Sequence, residues 1–271
     1  MKYLIAALLG IVQGLTEFLP VSSSGHLTLF HAILNTDGII PSPLAYDIIL
    51  HLGTLSAVIA AFWSDVVELI RNGLGWVLSG FKIDRRPGRR LVVMLLIATC
   101  PLAIGALIDG YIEAAFSSTL FVGCALLITA VILWSADRLG GGAKTARTAS
   151  WKDALLVGLS QLFAVLPGVS RSGTTMSAGL MRGFDRDFAV RFAFLMSIPA
   201  VIGSTVFALP DMLAEGGSMD PVLAVIGFVS AAISGWIAIK TVRLLMKKGS
   251  FRWFALYCAV TGALTVVLSL I

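Results

Sequence analysis

The stretch "EFLPVSSSGHLTLFHAI" (residues 17–33) places ionisable and hydroxyl side chains inside a strongly apolar segment. Glu17, three consecutive serines and His26 interrupt a run that otherwise has the composition of a membrane-embedded helix. Pro20, followed by serines and Gly25, is a pattern that ends one helix and begins another. Because irregular backbone at membrane depth is tolerated only where it is buried in protein or lines a wet cavity, this stretch predicts a functional site.

The rest of the chain has the composition of a membrane protein. Of its 271 residues, 58% are hydrophobic and 13% are charged, whereas soluble domains carry roughly 25% charged residues. The three cysteines are far apart and show no CxxC or His-paired spacing, which argues against a disulfide framework or a metal site. The composition therefore predicts an all-α polytopic membrane protein.

Six apolar segments are long enough to cross a bilayer, which takes roughly 20 residues. They are residues 44–64, 91–110, 117–137, 188–208, 221–240 and 252–271. Two further apolar regions, 4–34 and 153–181, are each interrupted by Pro followed by Ser and Gly. We therefore predict six transmembrane helices plus two re-entrant helical hairpins, each of which enters and leaves on one side of the membrane.

The basic residues agree with this topology. All Lys and Arg residues except Lys2 and Arg171 fall in four connections, which are residues 65–90, 138–152, 182–191 and 240–252. Six spans and two re-entrant hairpins place these connections on one face, which the positive-inside rule makes cytoplasmic. The net positive charge thus reflects membrane orientation, and no basic-aromatic motif for nucleic acid accompanies it.

The two broken regions resemble each other when one is shifted by 148 residues. The shift matches Gly10 with Gly158, Gln13 with Gln161, Ser22 with Ser170, Ser24 with Ser172 and Gly25 with Gly173. Each broken region is followed by three spans, and an odd number of spans turns the second copy upside down. We therefore predict an inverted-topology repeat of residues 1–137 and 153–271, an arrangement that brings two hairpin tips together near the midplane.

At these tips "PVSSSGH" would meet "PGVSRSG". Each tip begins a half-helix whose free N–H groups and positive dipole end point into the pocket. Arg171, hydroxyls and helix N-termini together indicate an anion, and the guanidinium fork suits phosphate. An unpaired arginine at the bilayer centre would cost between about 3 and 15 kcal/mol, which indicates a function. The expected pocket residues are Gln13, Glu17, Ser22, Ser23, Ser24, His26, Ser170, Arg171, Ser172, Thr174 and Thr175.

These residues also have structural interpretations. Serines at helix breaks commonly serve as caps and close-packing residues, which applies to Ser22 and Ser24. Glu17 could serve only as the counter-ion of Arg171. Gln13 lies one helical turn before Glu17 on the same face, where an amide positions its neighbour but does not transfer protons. His31 and His51 lie in apolar runs without a partner that the sequence identifies, and we expect both to be packing residues.

The motifs "QGLTEFLPVSSSGH" (13–26) and "LPGVSRSGTT" (166–175) resemble the bacterial undecaprenyl-diphosphate phosphatase family, and the similarity in length and span pattern covers nearly the whole chain. The resemblance implies hydrolysis of undecaprenyl diphosphate in the cytoplasmic (inner) membrane, which regenerates the lipid carrier for peptidoglycan and other envelope polymers and relates to bacitracin resistance. We further expect a pocket that opens to the periplasmic side. The resemblance places the family's functional positions at Glu17, Ser23, His26, Ser170, Arg171 and Thr175.

The chemistry of these residues and the resemblance together suggest a mechanism. Arg171 and the half-helix amides would bind the diphosphate and stabilise the charge on the transferred phosphoryl group. Ser23 would attack the terminal phosphorus while His26 and Glu17 transfer protons, although His26 as the direct nucleophile is an alternative that the sequence leaves open. The family's first motif position holds Glu or Gln. Here it is Gln13, so a pair of glutamates for Mg²⁺ or Ca²⁺ is missing and a metal requirement stays open.

Two other functions fit parts of the pattern. A transporter or anion channel would also use inverted repeats and broken helices, and the protein could flip a lipid carrier as well as, or instead of, hydrolysing its diphosphate. A phosphatidic-acid-type phosphatase would need a Lys well before an Arg-Pro pair and a His after Ser-Arg. Here Lys82 is too close to Arg86-Pro87, and the histidine position is Ser177. The oligomeric state is open, with a homodimer as one expectation.

Overall fold

The computed structural model describes residues 1–34, 40, 42–81, 87–105, 110, 115, 118–214, 219–248 and 250–270. The described residues are overwhelmingly helical and contain no β-strand, only one isolated parallel bridge between Lys144 and Phe184. The predicted end of the second span, residues 106–109, lies outside the described residues, as does the basic segment 82–86. The prediction of an all-α protein is confirmed.

Twelve helices are described. In chain order they are α1 (Lys2–Phe18), α2 (Ser23–Leu34), α3 (Pro43–Ala61), α4 (Trp63–Leu78), α5 (Pro87–Thr99), α6 (Leu102–Gly105), α7 (Thr119–Leu139), α8 (Trp151–Phe163), α9 (Arg171–Met181), α10 (Arg186–Ala214), α11 (Pro221–Lys248) and α12 (Arg252–Leu270).

Six stretches of these helices are long and apolar enough to cross a membrane. They are Pro43–Ala61, Pro87–Gly105, Thr119–Leu139, Arg186–Met212, Pro221–Met246 and Arg252–Leu270. Each coincides with one of the six predicted segments, so the chain is a multi-pass membrane protein. The second stretch combines α5 and α6, because Pro101 interrupts the helix between them.

Helix α4 is an element that the sequence analysis assigned to a connecting segment. It follows α3 directly after Phe62, and none of its residues is buried. Its acidic residues Asp65 and Glu68 lie one turn apart, and Asp65 forms an ion pair with Arg191 of α10. The helix is amphipathic and too polar to span a bilayer, which is why a search for apolar segments missed it.

The chain leaves α1 at Leu19. Pro20 disfavours helical backbone in the residue before it, and Leu19 is accordingly extended, with φ −64° and ψ 141°. Ser22 has φ 71°, in the left-handed region that non-glycine residues seldom occupy. Its side-chain oxygen accepts a hydrogen bond from the N–H of Gly25 at 3.2 Å, which caps the start of α2.

The chain breaks in a similar way between α8 and α9. Gly168, directly after Pro167, has φ 91°, and a Cβ there would lie 2.6 Å from the carbonyl oxygen of Val122. Only glycine tolerates both constraints. Ser170 then caps α9, since its side-chain oxygen accepts from the N–H of Gly173 at 3.1 Å. Both broken regions are therefore helix–break–helix units, and their entry into a membrane stays a prediction.

Each broken region packs against the other half of the chain. Helix α1 lies along α11, and α8 lies along α5. Both contacts are close at a glycine: a Cβ on Gly10 would lie 2.7 Å from the carbonyl oxygen of Gly227, and one on Gly158 would overlap the carbonyl oxygen of Ala98. These two glycines are a matched pair in the 148-residue shift, and the inverted repeat itself stays a prediction.

Aromatic packing anchors the end of α1. Phe18 lies edge-on to Phe194 of α10, with ring centroids 5.5 Å apart, and Phe62 contacts the same ring at 5.7 Å. Both Phe18 and Phe194 are buried in the main apolar core. This packing holds the last turn of α1 in place, and with it the neighbouring Glu17.

Candidate active site

Glu17 lies at the centre of a polar cluster where the two breaks meet. Its side chain is only 4% exposed. Oε2 accepts hydrogen bonds from the Ser23 hydroxyl at 2.6 Å and from the Gln13 amide at 3.1 Å. Oε1 forms an ion pair with Nη2 of Arg171, which begins α9. One carboxylate therefore links α1, α2 and α9.

The guanidinium of Arg171 retains donors for a further ligand. Its side chain is 26% exposed, and Glu17 is the only hydrogen-bond partner of the guanidinium within the described part of the chain. A guanidinium has five N–H donors in a planar fork. An anion with two or more oxygens can therefore bind Arg171 while Glu17 stays nearby.

Several serines of the cluster join the two breaks to each other. The side-chain oxygen of Ser24 accepts from the N–H of Gly168 at 3.4 Å, and the Ser172 hydroxyl donates to the carbonyl of Leu19 at 3.1 Å. Ser22 and Ser170 act as caps, and for Ser22 this agrees with its structural interpretation. These hydroxyls fix the position of Ser23 and Arg171 relative to each other.

The two threonines predicted to bind substrate differ in their surroundings. The Thr175 hydroxyl donates to the carbonyl of Arg171 at 2.9 Å, which is a bond within α9. The Thr174 hydroxyl is buried and has no hydrogen-bond partner among the residues described. Their assignment as substrate-binding residues, like that of the four serines, stays a prediction.

His26 lies in the same region but bonds to other groups. It is 5% exposed. Its Nδ1 lies 2.7 Å from the carbonyl oxygen of Ser22, and its Nε2 lies 2.7 Å from the hydroxyl oxygen of Tyr257 on α12. The two rings are stacked, with centroids 5.6 Å apart and planes 12° from parallel. The structure thus joins Ser23 to Glu17 and joins His26 to Tyr257.

Two residues of this site were missed by the sequence analysis. Tyr257 is one, and Thr129 of α7 is the other. The Thr129 hydroxyl oxygen accepts from the N–H of Ser170 at 3.1 Å and donates to the carbonyl of Gly168 at 3.2 Å, which holds the second break. Both lie in apolar spans at a distance along the chain from the two motifs, and a polar group in such a span was the available signal.

For His51, as for His31, the sequence identified no partner, but the structure shows one. Nδ1 of His51 donates to the carbonyl of Asp47 at 2.8 Å, and the ring is close enough to Glu17 to interact electrostatically. His31 also has an acidic neighbour, since its Nε2 lies 3.8 Å from Oδ1 of Asp47. The ionisable surroundings of Glu17 therefore extend to α3.

The donor set does not form a recognisable metal site. No group of three or more His, Cys, Asp or Glu residues is placed to hold a metal ion in the described ranges. Among the residues that the structure describes, Glu17 is the one carboxylate of the cluster, and both of its oxygens already face Arg171, Ser23 or Gln13. We therefore derive no step that passes through a metal ion.

Comparison with known proteins agrees with this architecture. Residues 6–264 match the family model described as "Bacitracin resistance protein BacA". The undecaprenyl-diphosphatase of Methanosphaera stadtmanae is 42% identical over 280 residues, covering 99% of this chain and 98% of the relative. Those of Halothermothrix orenii and Bacteroides fragilis are 39% and 36% identical over 263 and 275 residues, covering 96% and 99% of this chain and the same shares of the relatives.

The fold and site thus define a multi-pass helical membrane protein with a polar cluster between two facing helix breaks. The chain belongs to the BacA family. The resemblance inferred from the two sequence motifs is confirmed.

Proposed function

We propose that this protein hydrolyses undecaprenyl diphosphate to undecaprenyl phosphate and inorganic phosphate. The proposal depends above all on one observation, which is that a hydroxyl, a carboxylate and a guanidinium are joined by hydrogen bonds through Glu17. These are a nucleophile, a base and a phosphate-binding cation. The names of the relatives, undecaprenyl-diphosphatase, support the same activity.

The first step follows from the contact between Ser23 and Glu17. The Ser23 hydroxyl lies 2.6 Å from Oε2 of Glu17, so its proton passes to the carboxylate as its oxygen bonds to the terminal phosphorus. The bond from that phosphorus to the bridging oxygen breaks, and undecaprenyl phosphate leaves. Water then attacks the phosphoserine, which releases inorganic phosphate and restores the Ser23 hydroxyl.

Arg171 supplies positive charge where this reaction needs it. The transferred phosphoryl group carries negative charge on its outer oxygens, and a guanidinium beside it stabilises the transition state. Protonation of Glu17 removes the negative charge that pairs with Arg171 in the resting structure. The guanidinium is then free to bind the phosphoryl oxygens during the step that requires it.

An assay on purified protein tests this function. We expect phosphate release from long prenyl diphosphates in detergent, where a carrier without hydrolytic activity releases none. Short prenyl diphosphates define the chain-length range, and a chelator arm defines the metal requirement. Ser23→Ala is the matched inactive control. Equal release by the wild type and Ser23→Ala would contradict the proposal, and light scattering on the same sample tests the predicted homodimer.

We also propose that the two broken regions are re-entrant hairpins of an inverted repeat in a bacterial cytoplasmic membrane, with the pocket open to the periplasm. The reciprocal packing of α1 on α11 and α8 on α5 supports this arrangement. In a chain without the exposed Cys100 and Cys124, Pro43→Cys should react with an impermeant thiol reagent added outside intact cells. Thr145→Cys should not, and the opposite pattern would overturn the topology.

A further inference from the structure

The proposed mechanism does not use one contact of the site, which is the contact between Tyr257 and His26. The hydroxyl oxygen of Tyr257 lies 2.7 Å from Nε2 of His26, and its ring stacks on the imidazole with planes 12° apart. Tyr257 is 46% exposed while His26 is 5% exposed. The tyrosine therefore covers the histidine on the side where α12 borders the cluster.

The hydrogen bonds determine which nitrogen of His26 carries the proton. Nδ1 lies 2.7 Å from the carbonyl oxygen of Ser22, and a carbonyl oxygen only accepts hydrogen bonds, so Nδ1 carries hydrogen. In the neutral ring Nε2 then has the lone pair, and the Tyr257 hydroxyl donates to it. Burial of the ring favours this neutral form over the imidazolium.

We propose that Tyr257 is a positioning residue that keeps His26 neutral, with hydrogen on Nδ1 and the basic lone pair on Nε2. The inference rests on the proposed phosphatase function and refines it. The Ser23 hydroxyl contacts a base, Glu17, at 2.6 Å, whereas the lone pair of Nε2 points to the Tyr257 hydroxyl. Ser23 is therefore the nucleophile, and His26 is kept as a proton acceptor.

The same geometry separates the two proton transfers of the reaction. Glu17 contacts the Ser23 hydroxyl and takes the proton of the first step. When water attacks the phosphoserine, a base must take one of its protons, and Nε2 of His26 accepts it once the Tyr257 hydroxyl moves aside. The neutral imidazole of His26 becomes imidazolium. The bond between phosphorus and the Ser23 side-chain oxygen breaks, and Glu17 returns its proton to that oxygen. Each base thus serves one half of the reaction.

Tyr257→Phe is the decisive variant, because it removes the hydroxyl and keeps the stacked ring. We expect a fall in kcat of about 10-fold to 100-fold with little change in KM, which is less than the loss typical of removing a general base itself. We also expect the acid limb of the pH profile to move to higher pH, because the lost bond stabilised the neutral ring. Among the described residues, Glu17, Arg171, His51 and Cys258 are the other ionisable groups near the site, and they are unchanged in this variant.

Tyr46→Phe is the matched control. The Tyr46 hydroxyl donates to the carbonyl of Ala6 at 2.7 Å in a buried contact away from the cluster. We expect this variant to lower thermal stability and to leave the pH profile unchanged. If both variants lower activity equally without moving the acid limb, the role of Tyr257 is only structural and the proposal fails.

Histidine ¹⁵N NMR tests the tautomer without any activity measurement. The resonances of His26 are assigned by their loss in His26→Asn. We expect a hydrogen-bearing Nδ1 and an unprotonated Nε2 at neutral pH, with the Nε2 signal shifted in Tyr257→Phe. A protonated Nε2 in the wild type would overturn the proposal. If the wild type releases no phosphate yet shows this tautomer, the proposed function fails and the positioning of His26 stands.

Discussion

The two helix breaks are built alike. In each, a serine caps the following half-helix, through the Gly25 N–H at 3.2 Å in the first break and the Gly173 N–H at 3.1 Å in the second. In each, the side-chain oxygen of the capping serine lies 3.3 Å from the side-chain oxygen of a second serine two residues later. The backbone geometry needed to stop and restart a helix thus accounts for most of the residues that the breaks have in common.

Their chemistry differs. The first break supplies Glu17, Ser23 and His26, whereas the positions matched by the 148-residue shift hold Val165, Arg171 and Thr174. In the proposed mechanism, the base and the nucleophile therefore come from one break and the cation from the other. Because neither break carries a complete set, the site exists only where the two breaks face each other.

The matched glutamines illustrate the consequence of this difference. Gln13 and Gln161 are both buried, at 0% and 1% exposure. The Gln13 amide donates to Glu17 at 3.1 Å, while neither polar atom of the Gln161 side chain has a partner in the described ranges. The second break thus has a matching glutamine, Gln161, but no carboxylate in the place where Glu17 accepts a hydrogen bond from Gln13.

Arg171→Lys is expected to have the largest effect, and it tests whether the second break supplies the phosphate-binding cation. Lysine keeps the charge that pairs with Glu17 but loses the planar fork, so we expect folding to persist and kcat to fall on the order of 10³-fold. Phosphate release by the purified variant measures the effect. Arg182→Lys is the control, because Arg182 also binds a carboxylate, that of Asp153 at 2.8 Å, but lies at the other end of α9. Near-normal activity of a folded Arg171→Lys would show that the second break supplies only a counter-ion.

Glu17→Gln is expected to have the next largest effect. The amide keeps the size of the side chain and can still hydrogen-bond Ser23, but it cannot take the serine proton. We therefore expect kcat to fall by about 10²-fold or more. Glu68→Gln, which changes a carboxylate 55% exposed on α4, should have no effect. A rise in KM with kcat intact would make Glu17 a structural partner of Arg171 and leave the first break without its base.

Much of this architecture was predictable, for identifiable reasons. Long apolar segments need a bilayer or a core, so the six spans follow from composition alone. Pro20 and the serines after it end one helix and begin another by local backbone preferences, so the breaks follow from local sequence. The pairing of Arg171 with Glu17 was foreseeable because an intramembrane charge needs a partner.

The partners contributed by distant spans were not predictable in the same way. Tyr257 and Thr129 lie in apolar helices whose composition does not reveal which face meets a break. Their roles depend on the packing of α12 and α7 beside the cluster, which is a property of the assembled fold. Helix α4 was missed for a different reason, since its charged face resembles a connecting loop when only apolar runs are counted.

The matched glycines Gly10 and Gly158 allow a test of whether the helices that lead into the two breaks pack in the same way. A Cβ on Gly158 would overlap the carbonyl of Ala98, and one on Gly10 would lie 2.7 Å from the carbonyl of Gly227. We expect each alanine variant to lower the free energy of unfolding by about 1–3 kcal/mol, measured as a lower Tm in detergent. Gly203→Ala is the control, because a Cβ added at Gly203 would have no neighbouring atom within 4 Å among the described residues. If Gly158→Ala is as stable as the control, the close approach of α8 to α5 is wrong and the two breaks are not packed alike.

The starts of α1 and α8, the helices that lead into the two breaks, are expected to show the smallest difference in stability between matched variants. Asp153, at the start of α8, is 1% exposed and accepts hydrogen bonds from Ser150, Lys144 and Arg182. Burial opposes ionisation, but these bonds outweigh it and hold the pKa of Asp153 below its ordinary value. At the start of α1 the ion pair of Lys2 with Asp220 lies on the surface, and the bond from Lys2 lowers the pKa of Asp220.

We expect Asp153→Asn to lower stability by about 1–2 kcal/mol at neutral pH, because the bonds to a charged acceptor are lost, and Asp220→Asn to have no measurable effect. A carboxylate whose pKa is lowered on folding stabilises the folded protein above its ordinary pKa of about 4, and this contribution is lost as the pH falls below that value. The Tm difference between the wild type and Asp153→Asn should therefore be constant from pH 8 to about pH 5 and shrink in more acidic buffer. A Tm difference that grows on acidification would contradict a stabilising role of the ionised Asp153 carboxylate. An equal loss of stability in Asp220→Asn would show that the buried contacts of Asp153 stabilise the fold no more than the surface ion pair does.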